Sequence, residues 1–278
     1  MLRWRNRLRP NKRGSDLPRA IVPTVPDRAL EAAIADDRIS LRFQPQIEPV
    51  SGRIVGVEAL ARWADVPSPE ELFARADAAG LSERLSRTIQ RKALRLVVQW
   101  SGVLGDLRLS INILPQDLDR PGFETWLIDE MVAANVAPGR VTAEIIESAL
   151  LSDRPAVAAR LGFLRDHGVQ IAVDDFGTGY ANLVYLTSLP LDAIKIDRAM
   201  VADLVGRERD RIVVKAMIAM ARELGLKVVV EGVESVGQLD LVAGWGCDLY
   251  QGFLGAGALD VGELARFVAT SNALADAA

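Results

Sequence analysis

The strongest constraint on the fold is a rhythm. From about residue 107 onward, short β-rich runs alternate with amphipathic helical patterns. Strand-like runs at Leu107–Leu114, Val141–Glu147, Val169–Asp174, Ala193–Asp197, Lys227–Glu231 and Asp248–Gln251 are each followed by a helical segment. Those segments are Phe123–Asn135, Ala156–His167, a short one around Ala181–Ser188, Glu208–Leu224, Val236–Gly244 and Val261–Ser271. Upstream, a helix over Asp27–Asp37 precedes two extended runs, Ile39–Ile47 and Arg53–Trp63, and a helical pair, Pro69–Ala79 and Glu83–Trp100. Only residues 48–52 join the two extended runs, too few for a parallel crossover, so they are expected to pair antiparallel. Eight strands and about eight helices in about 250 residues are the size of one α/β barrel of the TIM (β/α)8 type. A doubly wound open sheet is the alternative, but the Gly-rich first strand-to-helix turn it favours is absent from the sequence.

In a barrel of this kind the site lies at the carboxyl ends of the strands. The polar residues ending the successive runs are Gln44, then Glu58 with Arg62, Asn112, Glu144 with Glu147, Asp174 with Asp175, Lys195 with Asp197, Glu231 and Gln251. Strand alternation puts Glu58, Leu60 and Arg62 on one face and turns Glu147, three residues past Glu144, away from it. Any one of these could be a helix cap or a solvated surface group, and Asp197 could pair with Arg198. Independent caps would not all choose the same end of successive strands.

Composition narrows the chemistry. The chain has 1 His and 1 Cys, His167 and Cys247, too few for a structural zinc site or a disulfide framework. Five carboxylates (Glu58, Glu144, Asp174, Asp175 and Glu231) would share one crevice, and two such charges ~4 Å apart repel by about 4 kcal/mol at an effective dielectric near 20. Protons or cations must compensate. With Asn112 as a neutral oxygen ligand, one or two Mg²⁺ or Mn²⁺ ions suit the donor set. Adjacent Asp174 and Asp175 could bridge a pair of metals ~3.5–4 Å apart, an arrangement used to cleave phosphate esters.

These residues sit in motifs. Glu58-Ala-Leu60 with Arg62, Phe43-Gln44-Pro45, Asn112 in Ser-Ile-Asn-Ile and Glu144-Ile-Ile-Glu147-Ser resemble the signatures of EAL-domain cyclic di-GMP phosphodiesterases. So do Asp174-Asp-Phe-Gly-Thr-Gly-Tyr180, Lys195-Ile-Asp-Arg198, Glu231-Gly-Val-Glu234 and Gln251-Gly-Phe253, in order and with similar spacing from about residue 27 to about 270. The resemblance implies a modified barrel whose first strand is antiparallel. It implies one metal on Glu58, Asn112, Glu144 and Asp174, and a second held or supported by Asp174, Asp175 and Glu231. Lys195 would orient or help deprotonate the attacking water, with Glu58 and Glu231 also catalytic. Gln44, Leu60, Arg62, Asp197 and Gln251 would contact the dinucleotide, and Glu147 would anchor the loop Phe176–Asn182, which couples metal binding to dimerisation. The implied activity is hydrolysis of cyclic di-GMP to linear pGpG in bacterial signalling, by a homodimer. Two alternatives are a receptor that binds cyclic di-GMP without cleaving it and a barrel enzyme of enolate chemistry. Departures are peripheral: Ala181-Asn182 replaces a Ser pair, and Leu254-Gly-Ala-Gly-Ala258 replaces an aromatic-Ser-basic-Pro run. That second change bears on binding of the guanine base.

The net charge of -4 averages two unlike regions. Residues 1–28 carry eight Lys and Arg against Asp16 and Asp27, a surplus of six, so the remainder carries -10. Residues 1–26 are therefore expected to form a basic, disordered arm ahead of a barrel domain over 27–278. Contact of the arm with an anionic membrane surface, nucleic acid or a partner protein is the alternative. No DNA binding is expected of the protein. The sequence shows neither a secretory signal nor a membrane-spanning run, and a cytoplasmic protein is expected.

Overall fold

The computed structural model describes residues 25–147, 154–177 and 184–276. Helix α1 (Arg28–Ala35) leads into strands β1 (Ser40–Ile47) and β2 (Ile54–Arg62), then helices α2 (Pro69–Ala78) and α3 (Ser82–Val98). Strand β3 (Arg108–Ile113) is followed by α4 (Pro115–Asp119) and α5 (Phe123–Ala133), and β4 (Val141–Ile146) by α6 (Arg154–Asp166). Strand β5 (Gln170–Phe176) precedes α7 (Val184–Ser188), and β6 (Ala193–Ile196) precedes α8 (Arg198–Val201) and α9 (Glu208–Glu223). Strand β7 (Lys227–Val230), α10 (Val236–Gly244), β8 (Leu249–Tyr250) and α11 (Val261–Asp276) complete the order. The eight strands close into a barrel in chain order.

The barrel is not all parallel. β1 runs antiparallel to β2 on one side and to β8 on the other, where Ile47 pairs with Tyr250, while β2 through β8 are mutually parallel. The short β1–β2 link dictates this. Glu48 N–H donates to Arg53 O at 2.9 Å and Gly52, at φ +71°, turns the chain back.

Helices cover the outside because their apolar stripes have the helical period. In α3, Leu85, Ile89, Ala93 and Val97 are buried over β3, while Arg84 and Arg95 face outward. Caps set the ends: Ser68 accepts from Glu71 N, and Ser235 and Gln238 form a reciprocal capping box at α10. The expected elements are all present within a few residues. Two short helices, α4 and α8, are additions. Pro115 and the Asp197 cap start them, but four or five residues are too few to show a period. The short helix expected from Ala181 is described only from Val184, and the arm over residues 1–24 lies outside the described residues. No helix among the described residues is long and apolar enough to cross a membrane.

Phe43, on the outward face of β1, is fully buried with its ring edge-on to Trp100, centroids 5.0 Å apart and planes at 78°. Phe43→Ala should therefore cost about 3–5 kcal/mol, read as a lowered urea midpoint at unchanged slope. A loss under about 1 kcal/mol would show that this contact does not hold β1 to the helix layer.

Candidate active site

The register of the strands brings the polar residues together. Glu144 pairs laterally with Asn112 on one side and Ala172 on the other, and Lys195 lies beside Val229. Inward-facing residues two apart along each strand stack in layers. The result is a centre built on Lys195, whose side chain is 1% exposed. Its Nζ lies 3.2 Å from Glu58 Oε2, 2.9 Å from Glu144 Oε2, 3.1 Å from Asp174 Oδ2 and 2.8 Å from Glu231 Oε1.

Neutral amides fix the carboxylates in turn. Asn112 Nδ2 donates to Glu58 Oε1 at 3.0 Å, and Gln251 Nε2 donates to Glu58 Oε2 at 2.7 Å and to Gln44 Oε1 at 3.2 Å. Gln44 Nε2 donates to Ala256 O at 3.3 Å, tying the first strand to the segment after Gln251. Gln46, which sequence reasoning passed over, is buried below them, its Nε2 3.3 Å from both Glu144 Oε1 and Ser110 Oγ. The signal was there: Gln46 shares strand parity with Gln44. Gly56 lies opposite it, and a Cβ there would come within 2.9 Å of Gln46 Oε1, so a larger residue would displace that amide.

Asp174 and Asp175 meet by a different device. Consecutive residues of a regular strand point to opposite faces. Here the β5–β6 pairing shifts register between Val173 and Phe176, and Asp175 takes φ +57°. That left-handed turn is uncommon outside Gly, Asn and Asp. It leaves Asp174 buried and Asp175 exposed, with carboxylate oxygens of both and of Glu231 within 4.8 Å of one another. Glu58, Glu144 and Asp174 form a second group of the same kind. Asp174 belongs to both, so the sites are contiguous. All donors are carboxylate oxygens, the set hard divalent cations favour.

Four carboxylates around one ammonium leave a surplus of negative charge, and the proton affinities register it. Burial opposes a charged Lys195, but Asp174, Glu144, Glu231 and Glu58 together hold its ammonium well above the usual lysine range. Burial also raises Glu58, yet Lys195 and the bonds from Gln251 and Asn112 outweigh it and hold this carboxyl below its ordinary value. Glu144 is carried well above the carboxylate range by burial, reinforced by Glu58 and Asp174 against the pull of Lys195. Burial, again opposed by Lys195 and aided by Asp174 and Glu58, pushes Glu231 to about 7.

Above the centre a mouth of about 250 Å³ opens at the carboxyl ends of the strands. Gln44, Leu60 and Gln251, all expected to contact ligand, line it; so do Arg198, Glu234 and the 75% exposed Phe253. Arg198 can lie there because residue 232 is Gly, at φ +67°, where a Cβ would stand 2.4 Å from Arg198 Cβ. Arg62 and Asp197 are not part of this lining. Arg62, at the last position of β2, donates from Nη1 to Ala61 O at 2.8 Å. Asp197 caps α8, its Oδ1 accepting from Ala199 N at 2.8 Å, and does not pair with Arg198. Glu147 is buried outside both carboxylate groups, and residues 178–182 of the loop it was expected to anchor lie outside the described residues. His167 stacks on Phe163 with its Nδ1 2.7 Å from Phe163 O, and burial raises the Cys247 thiol to about 12, so neither belongs to the site.

A model of the EAL domain family matches residues 27–258. The chain belongs to the EAL domain family. It is 36% identical over 228 residues to Cyclic di-GMP phosphodiesterase PA2567 of Pseudomonas aeruginosa, covering 81% of this chain and 39% of that protein. To Cyclic di-GMP phosphodiesterase NbdA of the same organism it is 34% identical over 248 residues, covering 87% and 32%. The chain thus spans only about a third of the length of these curated relatives. Among solved structures, the PaMucR phosphodiesterase in its c-di-GMP complex superposes with a TM-score of 0.79 at 31% identity, covering 84% of this chain and 97% of that one. Klebsiella pneumoniae BlrP1, in a manganese/cy-diGMP complex, gives a TM-score of 0.73 at 32% identity, covering 80% and 56%.

The Glu231 carboxyl generates a pH signature. With divalent cations chelated, the fold holds its proton up to about pH 7, whereas in the unfolded chain it is lost near the ordinary 4.5. The folded state therefore binds more protons between those values, and stability falls as pH rises through this window. Urea unfolding in chelator should show a decrease on the order of 3 kcal/mol from about pH 5 to pH 8, flattened by Glu231→Gln. An unchanged slope in that variant would contradict the assignment.

Proposed function

We propose that this EAL domain hydrolyses cyclic di-GMP to linear pGpG, lowering the level of that second messenger in bacterial signalling. The observation that carries the proposal is the carboxylate centre around Lys195, in which Glu58, Glu144, Asp174 and Glu231 converge on one ammonium. Relatives whose names state this activity or this ligand support the reading.

The donor set fits divalent cations, because two overlapping carboxylate groups carry more negative charge than Lys195 offsets. Glu58, Asn112, Glu144 and Asp174 would hold one ion, and Asp174, Asp175 and Glu231 a second, Mg²⁺ or Mn²⁺ in either place. When bound, such ions make water acidic enough to be a nucleophile at neutral pH and neutralise charge on phosphoryl oxygens. Lys195 keeps the four carboxylates converged and places an N–H donor beside the attacking oxygen. Gln251, bonded to Glu58 and Gln44, orients the Glu58 carboxylate at the mouth. Gln44, Leu60 and Gln251 contact the dinucleotide, with Arg62 and Asp197 outside the mouth as outer contacts, and Glu147 supports the following loop. In the balanced reaction, the water oxygen bonds to phosphorus, the P–O3′ bond breaks, and the proton from water ends on the departing O3′. We also assign the domain to the cytoplasm as a homodimer, preceded by a basic arm over residues 1–26.

The assay is incubation of the purified chain with cyclic di-GMP and Mg²⁺ or Mn²⁺, with products identified by mass. Linear pGpG should accumulate, and chelator should stop it. Glu58→Ala and Lys195→Ala should each lower the rate by at least about a hundredfold while far-UV circular dichroism stays native. Binding of cyclic di-GMP with no pGpG would establish a receptor instead. Near-full turnover in either variant would overturn the roles given to Glu58 and Lys195.

A further inference from the structure

The inside of the barrel is hollow below the carboxylate centre. Barrels of this class usually fill each interior layer with Val, Ile and Leu. Here the inward positions under Lys195 and Glu144 include Gly56, Ser110, Thr142, Ala172 and Ala193, and a cavity of about 260 Å³ remains between them. Gln46, Glu144 and Lys195 form its ceiling, so a single layer of side chains separates it from the centre above. Its opening is at the opposite end of the barrel, among residues that begin the strands.

Besides Glu144 and Lys195 in the ceiling, which bond each other, four charged residues line this lower chamber, and they are not equivalent. The acids are engaged by their own chain: Glu48 Oε2 accepts from Ser51 Oγ at 2.7 Å, and Asp248 Oδ2 accepts from Val228 N at 2.8 Å. The cations are not engaged. Neither Arg108 nor Lys227 has a carboxylate within ion-pair distance among the described residues. Arg108 Nη2 is moreover buried with no hydrogen-bond partner. A buried guanidinium N–H without an acceptor is unfavourable and marks a place where an acceptor fits. Burial depresses the Arg108 guanidinium, and the carboxylate opposing this, Asp192, is itself paired with Arg165 at 2.9 Å. Beside the cations stand the Gln170 amide and the Thr142 hydroxyl, and Val55 and Leu249 add apolar wall.

We infer that this lower chamber is a second binding site, for a small oxyanion: a carboxylate or phosphate group held by Arg108 and Lys227, with a short apolar body against Val55 and Leu249. The planar fork of Arg108 suits a two-oxygen head group, and Lys227 at the exposed rim supplies a point charge. The site is independent of the hydrolytic reading, because it uses none of the residues assigned to catalysis as its anion ligands.

Isothermal titration of the purified chain in chelator, at fixed ionic strength and without cyclic di-GMP, tests this with inorganic phosphate in one arm and butyrate in the other. Chelation removes cations that would draw either anion to the upper centre. Saturable binding at millimolar or lower concentration is expected in at least one arm, and the arm that binds identifies the head group. Arg108→Met, which keeps the stem, should weaken it about tenfold or more. Lys227→Met, at the exposed rim where folding is not at stake, should weaken it severalfold. Failure of both anions to bind, or binding with the same affinity in Lys227→Met and a folded Arg108→Met, would overturn the inference.

Discussion

Everything at the top of this barrel depends on one buried ammonium. Lys195 is almost fully enclosed, and four carboxylates, three from strands and Glu231 just past the end of β7, lie within 3.2 Å of it. Desolvating one charge is costly, and desolvating five is tolerable only if they oppose one another closely. The ammonium reduces the mutual repulsion of Glu58, Glu144, Asp174 and Glu231 but does not cancel it. Glu144 and Glu231 show the remainder as raised proton affinity. A centre that holds protons at neutral pH for want of positive charge is suited to exchange them for cations. Structure and chemistry thus meet in a single imbalance of charge.

The scaffold serves this imbalance in two ways. Closing the barrel with an antiparallel first strand puts Gln46 against Glu144 and Gln44 against Gln251, the amide that bonds Glu58, so amides rather than further charges surround these acids. The irregular end of β5 breaks strand alternation where two adjacent carboxylates must serve the same side. Asp tolerates the left-handed backbone at residue 175 better than most residues do.

Much of this was legible in the sequence. The five-residue link at 48–52 forced β1 and β2 antiparallel, and the repeating strand–helix pattern gave the barrel. Polar residues ending successive apolar runs marked Glu58, Asn112, Glu144, Asp174, Lys195, Glu231 and Gln251, which the structure brings together. What escaped depends on register or on local geometry that composition does not encode. Gln46 was hidden by attention to the motif beside it. Arg62 shares parity with Glu58, but parity fixes a face and not a depth, and at the strand's last position its guanidinium bonds the backbone instead. Asp197 follows Lys195 in sequence, and its second use, as the cap of α8, shows only in the structure. The hollow beneath the centre comes from small residues on five different strands, a pattern visible only once those strands lie side by side.

The claim that this charge imbalance is built to take divalent cations is open to direct measurement by titrating the purified chain with Mn²⁺ and reading the free ion by electron paramagnetic resonance. Wild-type chain should remove one or two Mn²⁺ per molecule from solution, and Asp174→Asn, which alters the carboxylate shared by both groups, should lose most of that uptake while remaining folded. Wild-type chain that leaves Mn²⁺ free, or Asp174→Asn that binds it as wild type does, would contradict the account.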